Sequence, residues 1–296
     1  MSLPLPYMER TRAYYLALGY DNPYQWAAHD DVPFAPLLMP LNKARVAIVT
    51  TAAPFKPGAG DQGPHAPYNA AAKFYDVYKA PVDPLPDLRV SHVAIDRAHT
   101  SAEDTDTYLP ITALRRASAR GVVGAMAEAV VGLPTNRSQR TTREVDAPKV
   151  EALLASLAVD AAILVPNCPV CHQSTALVAR HLEANGLPTV VMGCAKDIVE
   201  QAGVARFVFS DFPLGNSAGK PHDRESQDIT MTLALDLLAE ATAPRTTVTS
   251  PLQWSGDDRW KEDYANPEQL TAEDLARKKA EFDAAKSTAK TLRAPS

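Results

Sequence analysis

Two cysteines, Cys168 and Cys171, followed directly by His172, are the residues of this chain best equipped for chemistry. A thiolate is both a nucleophile and a metal ligand, and a second thiol one helical turn further on can close a disulfide with it. Four chemistries compete for this spacing. Cys168-Pro169-Val170-Cys171-His172 matches the attachment pattern of covalent haem. That chemistry belongs with export, however, and Met1-Ser2-Leu3-Pro4-Leu5-Pro6 has no signal-peptide pattern. Cys168, Cys171, His172 and Cys194 carry enough donors for zinc or an iron–sulfur cluster. With no second Cys-x-x-Cys pair, no metal is expected. Inert burial is the common fate of a lone cysteine, but it suits a pair on a turn poorly. Redox or nucleophilic sulfur is the favoured reading: Cys168 attacks, and Cys171 resolves the adduct as an intramolecular disulfide.

The flanking sequence must position these sulfurs. Ala161-Ala162-Ile163-Leu164-Val165 is a short apolar run that reads as a buried strand. Ser174 to Asn185 is amphipathic, with Gly186 and Pro188 to end it, and reads as a helix. The cysteines therefore fall on a strand-to-helix turn at the carboxyl edge of a sheet, where open α/β folds bind ligands. Backbone N–H groups at a helix start favour an anion, so the Cys168 thiolate should form more easily than in water.

The remaining elements alternate. Helices are expected at 7–19, 148–158, 196–201 and 224–241, and strands at 45–51, 88–95, 189–192 and 207–209. Residues 111–131 read as mostly helical, interrupted by Gly121 and Gly124, and 136–143 as a solvated loop between two halves. Alternation argues for parallel pairing and an α/β class with flanking helices. The expected form is two similar lobes around a cleft, racemase-like or flavodoxin-like. The divisions are 1–41, an N-terminal helix and aromatic, proline-rich arm; 42–145, the first lobe; 146–250, the second lobe with the cysteine turn; and 251–296, a C-terminal tail and helix. That last helix, from Thr271 to about Lys290, is rich in alanine and charge, with a thin apolar stripe at Leu275 and Phe282. It is expected to pack on a neighbouring surface or a second subunit.

Other residues earn candidate roles by position. Thr50 and Thr51 end the first strand, Asn167 precedes the nucleophile, and Gly215 and Asn216 lie in the loop after Phe207-Val208-Phe209. These are the expected substrate-binding residues, with backbone N–H groups at Gly215 able to hold an anion. A tight turn needing glycine is the plainer explanation there. Asp104 and Asp106 are candidate acids or bases, and His172 and Cys194 candidate supports for the thiolate. For each, a purely structural use competes.

Composition narrows the class. The net charge of −5 gives no reason to expect nucleic acid or an anionic membrane as a partner. No apolar run approaches a membrane span. Three cysteines and no export signal imply a reducing, cytoplasmic setting in which the pair stays as thiols until it reacts.

Taken with Val191-Met192-Gly193-Cys194-Ala195-Lys196-Asp197 and Asp211-Phe212-Pro213-Leu214-Gly215-Asn216, the run Cys168 to Ser174 resembles the selenoprotein B family of glycine, sarcosine, betaine and D-proline reductases. It is most similar to the D-proline reductase selenoprotein subunit. Val46 to Thr51, Ser91-His92, Asp104 to Asp106 and Leu109-Pro110-Ile111 fit the same pattern. The resemblance implies reductive cleavage of a carbon–nitrogen bond alpha to a carboxylate, with selenocysteine at position 168. It also implies a separate pyruvoyl-bearing subunit that activates the amine. Here position 168 is sulfur, a weaker nucleophile, and the chain shows no self-cleaving pyruvoyl precursor. The expected function is thus a thiol-dependent reductase with no tightly bound cofactor, recharged by an external dithiol such as a thioredoxin-like protein or a small thiol. It would act on a small molecule, with a pyruvoyl-type partner if the amine chemistry is kept, and a homo-oligomer is allowed. Two alternatives stand beside it: a racemase or isomerase working alpha to a carboxylate, and a thiol redox sensor.

Overall fold

The computed structural model describes residues 3–22, 24–90, 92 and 94–293. Met1 and Ser2 of the opening segment, Pro23 of the aromatic arm, and Ser91 and Val93 of the expected second strand lie outside the described residues.

Eight strands form one sheet. In chain order they are β1 (Arg45–Thr50), β2 (Tyr78–Pro81), β3 (Ala125–Met126), β4 (Ala129–Gly132), β5 (Ala161–Val165), β6 (Thr189–Gly193), β7 (Arg206–Phe209) and β8 (Thr246–Thr249). Their spatial order is β8-β7-β6-β5-β1-β4-β2, with β3 also paired to β1. All pairings are parallel except β2 with β4. This is the flavodoxin-like alternative. The halves expected as facing lobes instead join edge to edge through β1–β5 pairing, which sets Thr50 opposite Val165.

Parallel strands covered on both faces must be apolar throughout, and β5 and β6 are buried at every position. Alternation then divides the core in two. Val46, Ile48, Ile163 and Met192 pack beneath α2 (Ile111–Ala119) and α6 (Arg224–Glu240). Val49, Leu164 and Val191 pack beneath α3 (Ala147–Ser156), α4 (Pro169–Ala184) and α5 (Lys196–Ala202). From β1 the chain crosses to β4 on one side and then to β5 on the other, so strand order reverses between β1 and β5. Ligands of open α/β sheets bind outside the carboxyl ends at such a reversal.

Several elements differ from the sequence expectations. The helix expected through 111–131 stops at Ala119; Arg120 and Gly121, the latter at φ +73°, turn the chain into β3 and β4. Among the described residues, the strand expected at 88–95 covers Leu88–Arg89, which pairs with Ala53–Pro54 away from the main sheet. The 136–143 stretch is not a solvated loop: Asn136 is buried and donates to Asp146 at 2.7 Å, and helical turns run from Gln139 into α3. The N-terminal helix α1 (Tyr7–Ala17) forms as expected. Its arm is fastened by the buried Arg206–Glu183 pair, which takes both the N–H and the carbonyl of Ala35. The C-terminal helix α7 spans Ala272–Arg293.

Candidate functional site

The cysteine turn sits at the β1/β5 reversal. Cys168 leaves β5 in extended backbone (φ −130°, ψ 169°) and caps α4, with Pro169 in the first turn where its missing N–H is harmless. The sulfur does the capping: the Cys171 N–H points to Cys168 Sγ at 3.2 Å. The two sulfurs are in disulfide contact, with Cα atoms 4.9 Å apart. The Thr135 hydroxyl, just past β4, lies 3.1 Å from Cys171 Sγ. Each sulfur thus has its own hydrogen-bonding group.

The turn is fixed from behind by buried polar contacts. Thr51 Oγ1 accepts from both the N–H and the side-chain amide of Asn167, at 3.1 and 3.0 Å. His172 Nδ1 donates to the Cys168 carbonyl at 2.8 Å, and its Nε2 accepts from the Cys194 N–H at 2.9 Å. That pattern requires a neutral ring, and burial pushes the His172 pKa down to about 4. Gly193 makes room for the ring: a Cβ there would lie 2.8 Å from two of its atoms. Ser217 Oγ donates to the Pro166 carbonyl at 2.6 Å, tying the 211–220 loop to the same turn.

Cys168 is only 3% exposed, but it lines a cavity of about 840 Å³ and forms its floor together with Pro169 and Val170. The walls come from the end of α1 and the arm after it, the 68–75 segment, the 135–137 segment and α7. The Tyr75 hydroxyl donates to the Ala289 carbonyl of α7 at 3.1 Å. Phe282 of α7 sits edge-on to Tyr15 and Tyr20, at 5.3 and 5.4 Å between ring centroids.

Of the residues the sequence offers for the site, Cys168 is the one that lines this cavity. Cys171 lies directly behind it, fully buried. Asn167 and Thr51 bond to each other, leaving Asn167 Oδ1 buried and without a partner among the described residues. Thr50 bonds the Tyr108 carbonyl and the Ala52 N–H. Asn216 is held by Thr100 and the Pro213 carbonyl, and Gly215 takes φ +110° against Thr100. Asp104 caps a short turn and accepts from the His222 N–H and Gln227, while Asp106, its pKa raised by burial, bonds Thr112. Cys194 lies beside Ser217, and burial pushes its thiol up to about 12. These residues brace the turn and the loops around it. Among the described residues, no three His, Cys, Asp or Glu side chains come together as a metal-ligand set. Thr135, Arg137 and the aromatic walls of the cavity were not singled out by sequence; the cue was a polar segment directly following a strand end.

Fold and site together define a flavodoxin-like α/β protein with a Cys-x-x-Cys pair at its topological switch point. The chain has homologues among subunits of reductase complexes. D-proline reductase subunit gamma of Acetoanaerobium sticklandii is 28% identical over 169 residues, covering 57% of this chain and 69% of that protein. Glycine reductase complex component B subunit gamma of Symbiobacterium thermophilum is 26% identical over 230 residues, 76% of this chain and 52% of its own. The Carboxydothermus hydrogenoformans subunit of the same name is 28% identical over 203 residues, 67% of this chain and 46% of its own. The match to these glycine reductase subunits therefore spans about half their length. No family model and no solved structure matches the chain. Among the described residues, no helix is long and apolar enough to cross a membrane.

Proposed function

We propose that this chain is the thiol subunit of a reductase that cleaves a carbon–nitrogen, or other carbon–heteroatom, bond alpha to a carboxylate. The observation that carries the reading is the placement of Cys168: at a helix start, on the floor of a large cavity, with Cys171 in disulfide contact behind it. The Cys168 thiolate donates an electron pair to the alpha carbon. The carbon–nitrogen pair leaves with nitrogen, which takes a proton. The Cys171 thiolate then attacks Cys168 sulfur, forming the S–S bond, and the carbon–sulfur pair passes to the alpha carbon, held as an enolate by its carboxylate until it is protonated. Net, a C–N bond becomes C–H and a dithiol becomes a disulfide, which an external dithiol returns to thiols.

Sulfur is a slower nucleophile than selenium, so the leaving group must be activated. If the group is an amine, a pyruvoyl-type partner subunit supplies that activation, in keeping with relatives named as subunits of reductase complexes. No tightly bound cofactor is required of this chain itself.

The Cys171→Ser variant tests the scheme. Incubated with dithiol and a panel of α-substituted acids, it should release one equivalent of leaving group and stall with the acid on the Cys168 peptide, seen by mass spectrometry. Continued turnover would instead mark a racemase or isomerase that needs only Cys168. Formation of a disulfide in the native protein with no adduct on any acid would mark a redox sensor.

A further inference from the structure

We infer that α7 completes the substrate site, and that the site takes a carboxylic acid carrying an aromatic or similarly broad flat group; this rests on the proposed reductase reading. The cavity over Cys168, about 840 Å³, falls within the range of roughly 300–1,000 Å³ that holds drug-sized ligands. A two- or three-carbon acid would leave most of it empty. Its walls have two characters. One is aromatic: Tyr24, Tyr68 and Phe74 face the same space as Tyr15, Tyr20 and Phe282. Rings at this density favour a flat apolar body, through offset or edge-on contacts.

The other character is cationic. Arg137, Lys286 and Lys290 line the cavity, as does Lys73, against a single carboxylate, Asp21. Arg137 spreads its guanidinium over the Tyr15 and Phe282 rings, at 5.7 and 5.3 Å. Among the described residues, the ion pairs of α7 join Arg277 to Asp274 and Glu281, and Lys279 to Asp283. Lys286 and Lys290, further along the helix, take part in none of these pairs. Two ammonium groups, of which Lys286 lies over the Tyr20 ring and within the field of Asp283, and a ring-stacked guanidinium around one reactive sulfur fit an anionic substrate. A neutral ligand of the same shape would make no use of this charge. The helix supplies two of the four lining cations and one ring, so without α7 the site loses half of that positive charge and its closing wall.

Affinity alkylation of reduced full-length protein tests the assignment without requiring turnover. The probes are bromoacetate, 2-bromo-3-phenylpropanoate and 2-bromo-3-phenylpropanamide. Modification of Cys168 is followed by peptide mass spectrometry, with rates normalised to free N-acetylcysteine. The phenyl acid should react with saturation and about tenfold faster than either other probe. Arg137→Gln, and Lys286→Gln with Lys290→Gln, should bring the acid and amide rates within about twofold of each other. Equal normalised rates for all three probes, or an acid preference that survives both sets of substitutions, would overturn the inference and leave the reductase reading standing. If no probe modifies reduced Cys168, the reductase reading fails and the site assignment fails with it.

Discussion

The floor and the roof of the cavity are built on opposite principles. The floor is the carboxyl edge of a parallel sheet, where Thr51, Asn167, Cys168, Cys171 and His172 are all buried and each is tied by named hydrogen bonds. The roof is an alanine- and charge-rich helix whose described side chains are exposed or half-buried, held by a phenylalanine among tyrosines and a few polar contacts. Buried, hydrogen-bonded polar groups fix a geometry because breaking it leaves further donors or acceptors unpaired. Exposed contacts of the roof kind are worth a few tenths to about 1 kcal/mol each and can break locally. The Cys168 sulfur is thus held by the fold itself, while α7 is attached at the periphery.

Removing a brace from the floor should have the largest effect. His172→Phe leaves the Cys194 N–H buried without its partner, while the Cys168 carbonyl keeps the backbone N–H of residue 172. At about 1–3 kcal/mol for an orphaned buried group, denaturant unfolding should show a loss of that size. The same residue gives the protein a pH signature. Its pKa is about 4 when folded, against an ordinary value of 6.5, so its contribution is fully present above pH 6.5 and is lost as pH falls toward 4. That loss should reach about 3 kcal/mol, and the Phe variant should show a flatter stability profile across this window. His92, held down to about 3 by burial, adds a slope that the variant retains. An unchanged profile in the variant would mean that His172 does not brace the turn.

A smaller effect separates the two sulfurs. Thr135→Val removes the hydroxyl beside Cys171 Sγ. A thiolate loses a charge-assisted hydrogen bond, so Cys171 should ionise about one pH unit higher, and its disulfide with Cys168 should resist dithiothreitol correspondingly more. Thr135→Ser should restore native behaviour. Thiol titration by alkylation and a dithiol redox equilibrium read this directly. If the Val and Ser variants titrate alike, the contact is packing and nothing more.

The floor could be read from sequence and the roof could not, for reasons of range. The apolar run 161–165 and the amphipathic pattern from Ser174 are local signals that put Cys168 on the strand-to-helix turn, although the helix begins at Pro169 rather than Ser174 and takes Cys171 into its first turn. The strand Ala129–Gly132 was missed because four buried apolar residues carry no period that distinguishes strand from helix. Strand Tyr78–Pro81 is a half-exposed edge whose partner lies some fifty residues on. The use of α7 was hidden more deeply still. Phe282 meets Tyr15 and Tyr20, more than 250 positions earlier, and nothing in the local pattern of an exposed helix announces that its apolar stripe closes a cavity.

The weakest attachment gives the finest test of the contrast. Phe282→Ala deletes the ring that Tyr15, Tyr20 and the Arg137 guanidinium all contact. Because that ring is half-buried and belongs to a helix outside the sheet's core clusters, the global unfolding midpoint should move little. The local opening of α7 should become easier by about 1–2 kcal/mol, a five- to thirtyfold rise in amide exchange across residues 272–293. Exchange in β5 and in the first turns of α4 should stay as it was. If faster exchange spreads into the cysteine turn, roof and floor form one cooperative unit, and closing the substrate wall would also set the geometry of the sulfur.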